Sequence, residues 1–68
     1  MDVLAKHLKV GQVMIIEYGR EDNFVNFTVS DVSAGDITVV HATSNIGNEC
    51  FAFSNNETIK IVGNMEGK

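Results

Sequence analysis

The sequence predicts a mainly β domain, in which a short N-terminal helix precedes five antiparallel strands that form a small barrel. Two observations lead to this prediction. Apolar and polar residues alternate through residues 24–40, which is the pattern of two half-buried strands joined by a turn. Further short apolar runs are separated by polar segments that contain glycine or asparagine. Because 68 residues supply one hydrophobic core, we expect a single domain over residues 1–68.

The helix is predicted over residues 2–9. Asp2 is a favourable N-cap residue, and Gly11 is a favourable C-terminal stop. Three apolar residues would share one side of this helix: Val3, Leu4 and Leu8. An alternative stays open, in which residues 8–10 already lead into the first strand.

The five strands follow, each bounded by polar or glycine-containing segments. They are predicted in residues 12–18, 24–32, 37–40, 48–53 and 58–62, so that the barrel spans residues 12–62. Residues 19–23 are the most charged stretch and should form an exposed loop. Residues 63–68 are expected to be a frayed tail.

The glycines of two turns predict the strand register. If Gly35 and Gly47 each take the left-handed position of a three-residue loop, Val29 faces Val39 and Val39 faces Phe53. The core face then holds eleven apolar residues at odd positions: Val13, Ile15, Val25, Phe27, Val29, Ile37, Val39, Phe51, Phe53, Ile59 and Ile61. The opposite face of the first strand holds Met14, Ile16 and Tyr18, which need cover from the N-terminal helix or from another chain.

The same register bears on His41 and Cys50, the one pair in the strands with the residue types of a nucleophile and base. It places His41 opposite Phe51, and Cys50 on the other face of the sheet. We therefore predict no catalytic residues. Two ligands also fall short of a zinc site, so we expect neither a metal ion nor a cofactor.

Composition excludes several classes of function. Five basic residues, spread along the chain, stand against nine acidic ones, so the net charge of −4 argues against nucleic-acid binding. No apolar run approaches the roughly 20 residues of a membrane span, so no membrane partner is expected. The single cysteine suits a reducing compartment, and we expect a cytoplasmic protein.

Two segments resemble a known fold family. Residues 8–13, LKVGQV, resemble the opening common in SH3-like barrels, and residues 27–32 with residues 36–39 resemble their middle. The chain is similar in this pattern to small SH3-like and Sm-like β-barrel proteins of bacteria and phages. The resemblance implies a barrel fold and no activity.

The predicted function is a non-enzymatic interaction module that binds a protein partner or self-associates as a homo-oligomer. The predicted binding residues are exposed and of types favoured at interfaces or loop tips: Tyr18, Arg20, Asn45 and Ile46. Two alternatives remain. One is a nucleic-acid-binding Sm-like or OB-like barrel, and the other is a phage-type accessory protein that binds a small molecule or inhibits a host protein.

Overall fold

The computed structural model describes residues 1–64 of the chain. Its six antiparallel strands are β1 (Asp2–Leu4), β2 (Gln12–Glu17), β3 (Phe24–Ala34), β4 (Thr38–Ser44), β5 (Gly47–Phe53) and β6 (Thr58–Asn64). They form one open sheet in the order β1-β6-β2-β3-β4-β5, with β1 and β5 at its edges. The mainly β class is therefore confirmed, with six strands in an open sheet where the sequence predicted five in a barrel.

The prediction of a helix over residues 2–9 is wrong. Asp2–Leu4 form the edge strand β1, in which Val3 lies opposite Ile59 of β6, and only Ala5–His7 form a single 3₁₀ turn that no side chain caps. The backbone N–H of Ala5 donates to the carbonyl of Glu57 at 2.8 Å. So short a helix is unstable alone. The segment instead gains backbone hydrogen bonds by pairing with β6.

The core face of β2 is the reverse of the one predicted. Met14 lies opposite Phe27, and both side chains are fully buried. The loop between β2 and β3 places Glu17 opposite Phe24, so even positions of β2 share a face with odd positions of β3. Two partly buried side chains pack against the same core, namely Ile16 and Tyr18. The sheet itself therefore covers this row of side chains.

The register between β3 and β4 also differs from the prediction. Ala34 lies opposite Thr38, and the pairing shifts between Val29 and Asp31, where Ser30 is the extra residue of a bulge. Gly35 does not take a positive φ. After the bulge the core face of β3 changes from odd to even positions, so that Val29 is fully buried and Val32 packs against the core. Two predicted core residues lie after β3. Ile37 is half exposed, and Val39 is half-buried outside the core.

The β4–β5 hairpin closes one residue earlier than predicted. Ser44 lies opposite Gly47 across a two-residue turn, and Gly47 takes the expected positive φ, at 125°. His41 is consequently opposite Cys50, and Val40 opposite Phe51. The predicted separation of His41 from Cys50 onto two faces is therefore wrong, because a shift of one residue reverses which side chains share a face.

Among residues 1–64, nine apolar residues form the buried core: Ala5, Leu8, Met14, Phe27, Val29, Val40, Ala42, Ile59 and Ile61. Four of them belong to the predicted set, and three more of that set pack against the core while partly exposed: Val25, Phe51 and Phe53. Val13 and Ile15 are half-buried on the outer face of the sheet. Strand β6 continues through Asn64, so the predicted tail is part of the sheet there, and its last four residues lie outside the described part of the chain.

Candidate functional site

The four predicted binding residues lie at one end of the sheet, which we call the loop end. It comprises the β2–β3 loop, residues 18–23, and the β4–β5 turn, residues 45–46. Because β2 and β4 finish at this end and β3 and β5 begin there, the antiparallel pairing brings both connections to it. The sequence contained this grouping only implicitly, since it depends on strand order.

The β2–β3 loop is held by hydrogen bonds between residues at its base. The backbone N–H of Tyr18 donates to the carbonyl of Asn23 at 2.8 Å, and the side-chain amide of Asn23 donates to the carbonyl of Tyr18 at 2.6 Å. The N–H of Asp22, a residue with φ of 64°, donates to Glu17 Oε2 at 2.8 Å. Arg20 is exposed at the outside of this loop.

The ring of Tyr18 packs against the core, and its hydroxyl meets the carboxylate of Glu49. Its ring meets the ring of Phe27 edge-on, with centroids 5.4 Å apart, and Phe27 meets Phe51 in the same way at 5.0 Å. A hydrogen bond to Glu49 raises the pKa of Tyr18 above its ordinary value, and desolvation and the negative charge of Glu49 raise it further. The carboxylate therefore favours the neutral form of the phenol.

The other two predicted residues, Asn45 and Ile46, line an open groove of about 710 Å³ on the sheet near the loop end, which we call the tip groove. Its remaining walls are Phe24, Val25, Asn26, Thr28, Thr43 and Ser44. The β3–β4 ladder begins only at the Thr28–Thr43 pair. The first residues of β3 and the β4–β5 turn thus lie side by side beyond the ladder and leave the groove between them.

Two large apolar side chains line the tip groove while remaining more than half exposed. Phe24 is 58% exposed and Ile46 is 57% exposed. The sequence analysis identified Ile46 and missed Phe24, because Phe24 was assigned to the start of a strand. A signal was present, since Phe24 lies at an even position and therefore outside the alternating set that contains Phe27.

The surroundings of the groove are acidic. Glu17 lies opposite Phe24 in the β2–β3 ladder, and two further carboxylates, of Glu21 and Asp22, are exposed in the adjoining loop. Arg20 is the basic residue of that loop. A groove that holds two exposed apolar side chains beside a surplus of carboxylates suits a ligand that carries both apolar and positively charged groups.

His41 and Cys50 lie directly opposite each other on the outer face, and both are exposed. The carbonyl of His41 accepts a hydrogen bond from Ser30 Oγ at 3.0 Å. The two residues border a shallow cavity of about 330 Å³. Within residues 1–64 no group of three or more His, Cys, Asp or Glu side chains is placed to hold a metal ion.

Comparison with protein families, with curated proteins and with solved structures finds no match for this chain. The resemblance to SH3-like and Sm-like barrels therefore stays a prediction. In the described residues, no helix has the length and apolar character needed to cross a membrane.

Proposed function

We propose that this protein is a non-enzymatic interaction module that binds a segment of another protein in the tip groove. The observation that supports this proposal is the presence of Phe24 and Ile46 in one groove, each more than half exposed. A single exposed apolar residue needs no explanation, whereas two in one concave surface with a polar rim are typical of an interaction site. Asn26, Thr43 and Asn45 supply that rim.

The chemistry of the ligand follows from the groove and its charge. Phe24 and Ile46 favour an apolar side chain of the ligand, since each buried large side chain contributes about 1.5–3 kcal/mol. The carboxylates of Glu17, Glu21 and Asp22 favour a lysine or arginine beside it. The proposed ligand is thus a peptide segment in which an apolar residue neighbours a basic one.

The finer fold belongs to the same proposal, in which the open sheet curves toward a small SH3-like barrel. Asn55 supports this, since its carbonyl accepts from the N–H of Lys6 at 3.2 Å while its side chain bonds Thr38 and Gly35. One connection thus holds the N-terminal segment near the β3–β4 turn. Nuclear Overhauser contacts between residues 5–7 and the β3–β4 turn would support this curvature, which leaves the β5 edge open, and their absence in an assigned spectrum would contradict it.

A random peptide library displayed on phage provides a direct test of the groove. Selected peptides should carry an apolar residue beside a lysine or arginine, and should shift the amide resonances of Phe24, Asn45 and Ile46. Ile46→Ser and Phe24→Ser should each weaken binding by about tenfold or more, because each removes one large apolar contact. Ile37→Ser is the matched control, since Ile37 is 50% exposed and follows the β3–β4 turn at the opposite end.

Other outcomes would contradict the proposal. Peptides that bind equally well to Ile46→Ser and to the unchanged protein would place the site elsewhere. Binding of single-stranded RNA or DNA at low salt, lost in the same variants, would instead support the nucleic-acid alternative. The surplus of carboxylates around the groove makes that outcome unexpected.

A further inference from the structure

The two edge strands, β1 and β5, differ in their length and in how well their open edges are protected from pairing with another strand. Strand β1 has three residues, including the charged Asp2, and is too short to act as a template for another strand. Strand β5 has seven residues, GNECFAF, of which only Glu49 is charged, and the chain contains no proline. Among residues 1–64, β5 pairs with β4 on one side and has no strand on the other.

The hairpin register identifies which backbone groups face the open edge. Residues that flank a two-residue turn form a hydrogen-bonded pair, so Gly47 and every second residue after it turn their N–H and C=O toward β4. The intervening residues turn theirs outward: Asn48, Cys50 and Ala52. The carbonyl of His41, which lies opposite Cys50, accepts from Ser30 on β3, as this alternation requires.

We infer that β5 pairs with β5 of a second copy of this chain, antiparallel and around a two-fold axis at Cys50. In this register Cys50 faces Cys50, and Asn48 faces Ala52 in both directions. All the outward N–H and C=O groups of Asn48, Cys50 and Ala52 then have partners, whereas a shift of two residues leaves some without. The outer-face side chains of β5, those of Asn48, Cys50 and Ala52, are small, uncharged and exposed, so this face of the strand pairs with itself without clash or charge repulsion, which supports a second copy as the partner. This inference goes beyond the proposed function, because it concerns another surface and another partner.

Charge is compatible with this register and also predicts a salt dependence. Glu49, the one charged residue of β5, lies opposite Phe51 of the second copy. The two Glu49 carboxylates are diagonal neighbours, within reach of mild repulsion. Added salt should therefore strengthen the association. An interface of one short strand per copy lies below the area of stable complexes, so the dimer should be weak and concentration-dependent.

Amide spectra recorded over a dilution series, with a reductant and a chelator present, test the register directly. Under these conditions neither a disulfide nor a metal ion bridging His41 and Cys50 holds the copies together. The amide resonances of Asn48, Cys50 and Ala52 should move with concentration, and those of Glu49 and Phe51 should move less. A protein that stays monomeric at about 1 mM, a concentration that detects even weak association, would overturn the inference. Movement confined to other residues would do the same.

A proline variant tests the same edge by sedimentation. Ala52→Pro removes one outward N–H without removing a bond to β4, and should weaken the dimer by about tenfold or more, because two hydrogen bonds are lost per dimer. Ala52→Ser keeps the N–H and should behave as the unchanged protein. An equally stable dimer in folded Ala52→Pro would overturn the inference. If Ala52→Pro unfolds, the dilution series on the unchanged protein still decides.

The groove variant separates this inference from the proposed function. Ile46→Ser should leave the dimer intact while it weakens peptide binding in the tip groove. Loss of dimerisation in Ile46→Ser would place the dimer interface at the groove and overturn the pairing through β5. Peptide binding without dimerisation would leave the proposed function standing and refute the dimer alone.

Discussion

Thr38 on β4 donates a hydrogen bond of 2.7 Å from its hydroxyl to the side-chain oxygen of Asn55, in the connection between β5 and β6. Thr38 is fully buried, and in residues 1–64 it is the one buried residue with a polar side chain. Asn55 also donates through its side-chain nitrogen to the carbonyl of Gly35 at 2.8 Å. One asparagine therefore fastens the β5–β6 connection to the β3–β4 turn.

Removing Asn55 should cost more than removing the hydroxyl of Thr38. Asn55→Ala leaves a buried hydroxyl without a partner and should lower the free energy of unfolding by about 1–3 kcal/mol. Thr38→Val should cost less, because the half-buried Asn55 can still bond to water. Urea denaturation of both variants and of the double variant gives the coupling. The double variant should lose less than the sum of the two, and simple additivity would contradict the contact.

The core face of β2 predicts unequal effects at neighbouring positions. Met14 is fully buried against Phe27, so Met14→Ala should lower the free energy of unfolding by about 2–5 kcal/mol. Ile15→Ala should cost about half of that or less, because Ile15 is half-buried outside the core cluster. Chemical denaturation of the two variants checks this order. The reverse order would support the odd-numbered core face that the sequence predicted for this strand.

Strand positions were largely predictable from the sequence, whereas the pairing between strands was not. Alternation of apolar and polar residues is a local property, and it located the four strands β2, β3, β5 and β6 closely. Register depends on loop length and bulges, which the residues specify weakly. The bulge at Ser30 and the early closure of the turn at residues 45–46 each shift the face by one residue. The prediction that His41 and Cys50 lie on different faces failed for this reason.

The two glycines used to predict the register should respond differently to substitution. Gly47 has φ of 125°, a conformation that L-residues rarely adopt, so Gly47→Ala should lower the free energy of unfolding by about 1 kcal/mol or more. Gly35 has no positive φ, and nothing lies within 4 Å of an added Cβ, so Gly35→Ala should be nearly neutral. Thermal unfolding of both variants measures the difference. A larger cost at Gly35 would support the left-handed conformation that the sequence predicted for it.

The candidate site was predictable where it depends on one residue and unpredictable where it depends on two. Ile46 at a loop tip has no core partner, and that alone identified it. Its neighbour in the groove, Phe24, is 22 positions away in the chain and is brought there by strand order. Tyr18 was predicted as a binding residue, yet its ring packs against Phe27. The alternating pattern could not show this contact, because the sequence analysis placed the odd positions of β2 on the core face.

The pH dependence of Tyr18 tests its contact with Glu49. Hydrogen bonding to Glu49, with desolvation and the negative charge adding to it, raises the pKa of Tyr18 in the folded protein above the ordinary value of 10.0. The stabilisation from this contact is fully present below the pKa of the unfolded chain, and is lost as pH rises through the folded pKa. Because Tyr18 is the single tyrosine and the chain has no tryptophan, phenolate absorbance reports on it alone.

Substitution of Glu49 should move this titration in a defined direction. Glu49→Ala removes both the acceptor and the charge, and should lower the midpoint toward the ordinary tyrosine value, while desolvation of the phenol remains. Glu49→Gln keeps an acceptor without the charge, so its midpoint should lie between the two. Glu17→Gln removes a charge from the same end of the sheet without touching the contact, and should change the midpoint little. An unchanged midpoint in Glu49→Ala would show that the phenol and the carboxylate do not meet in solution.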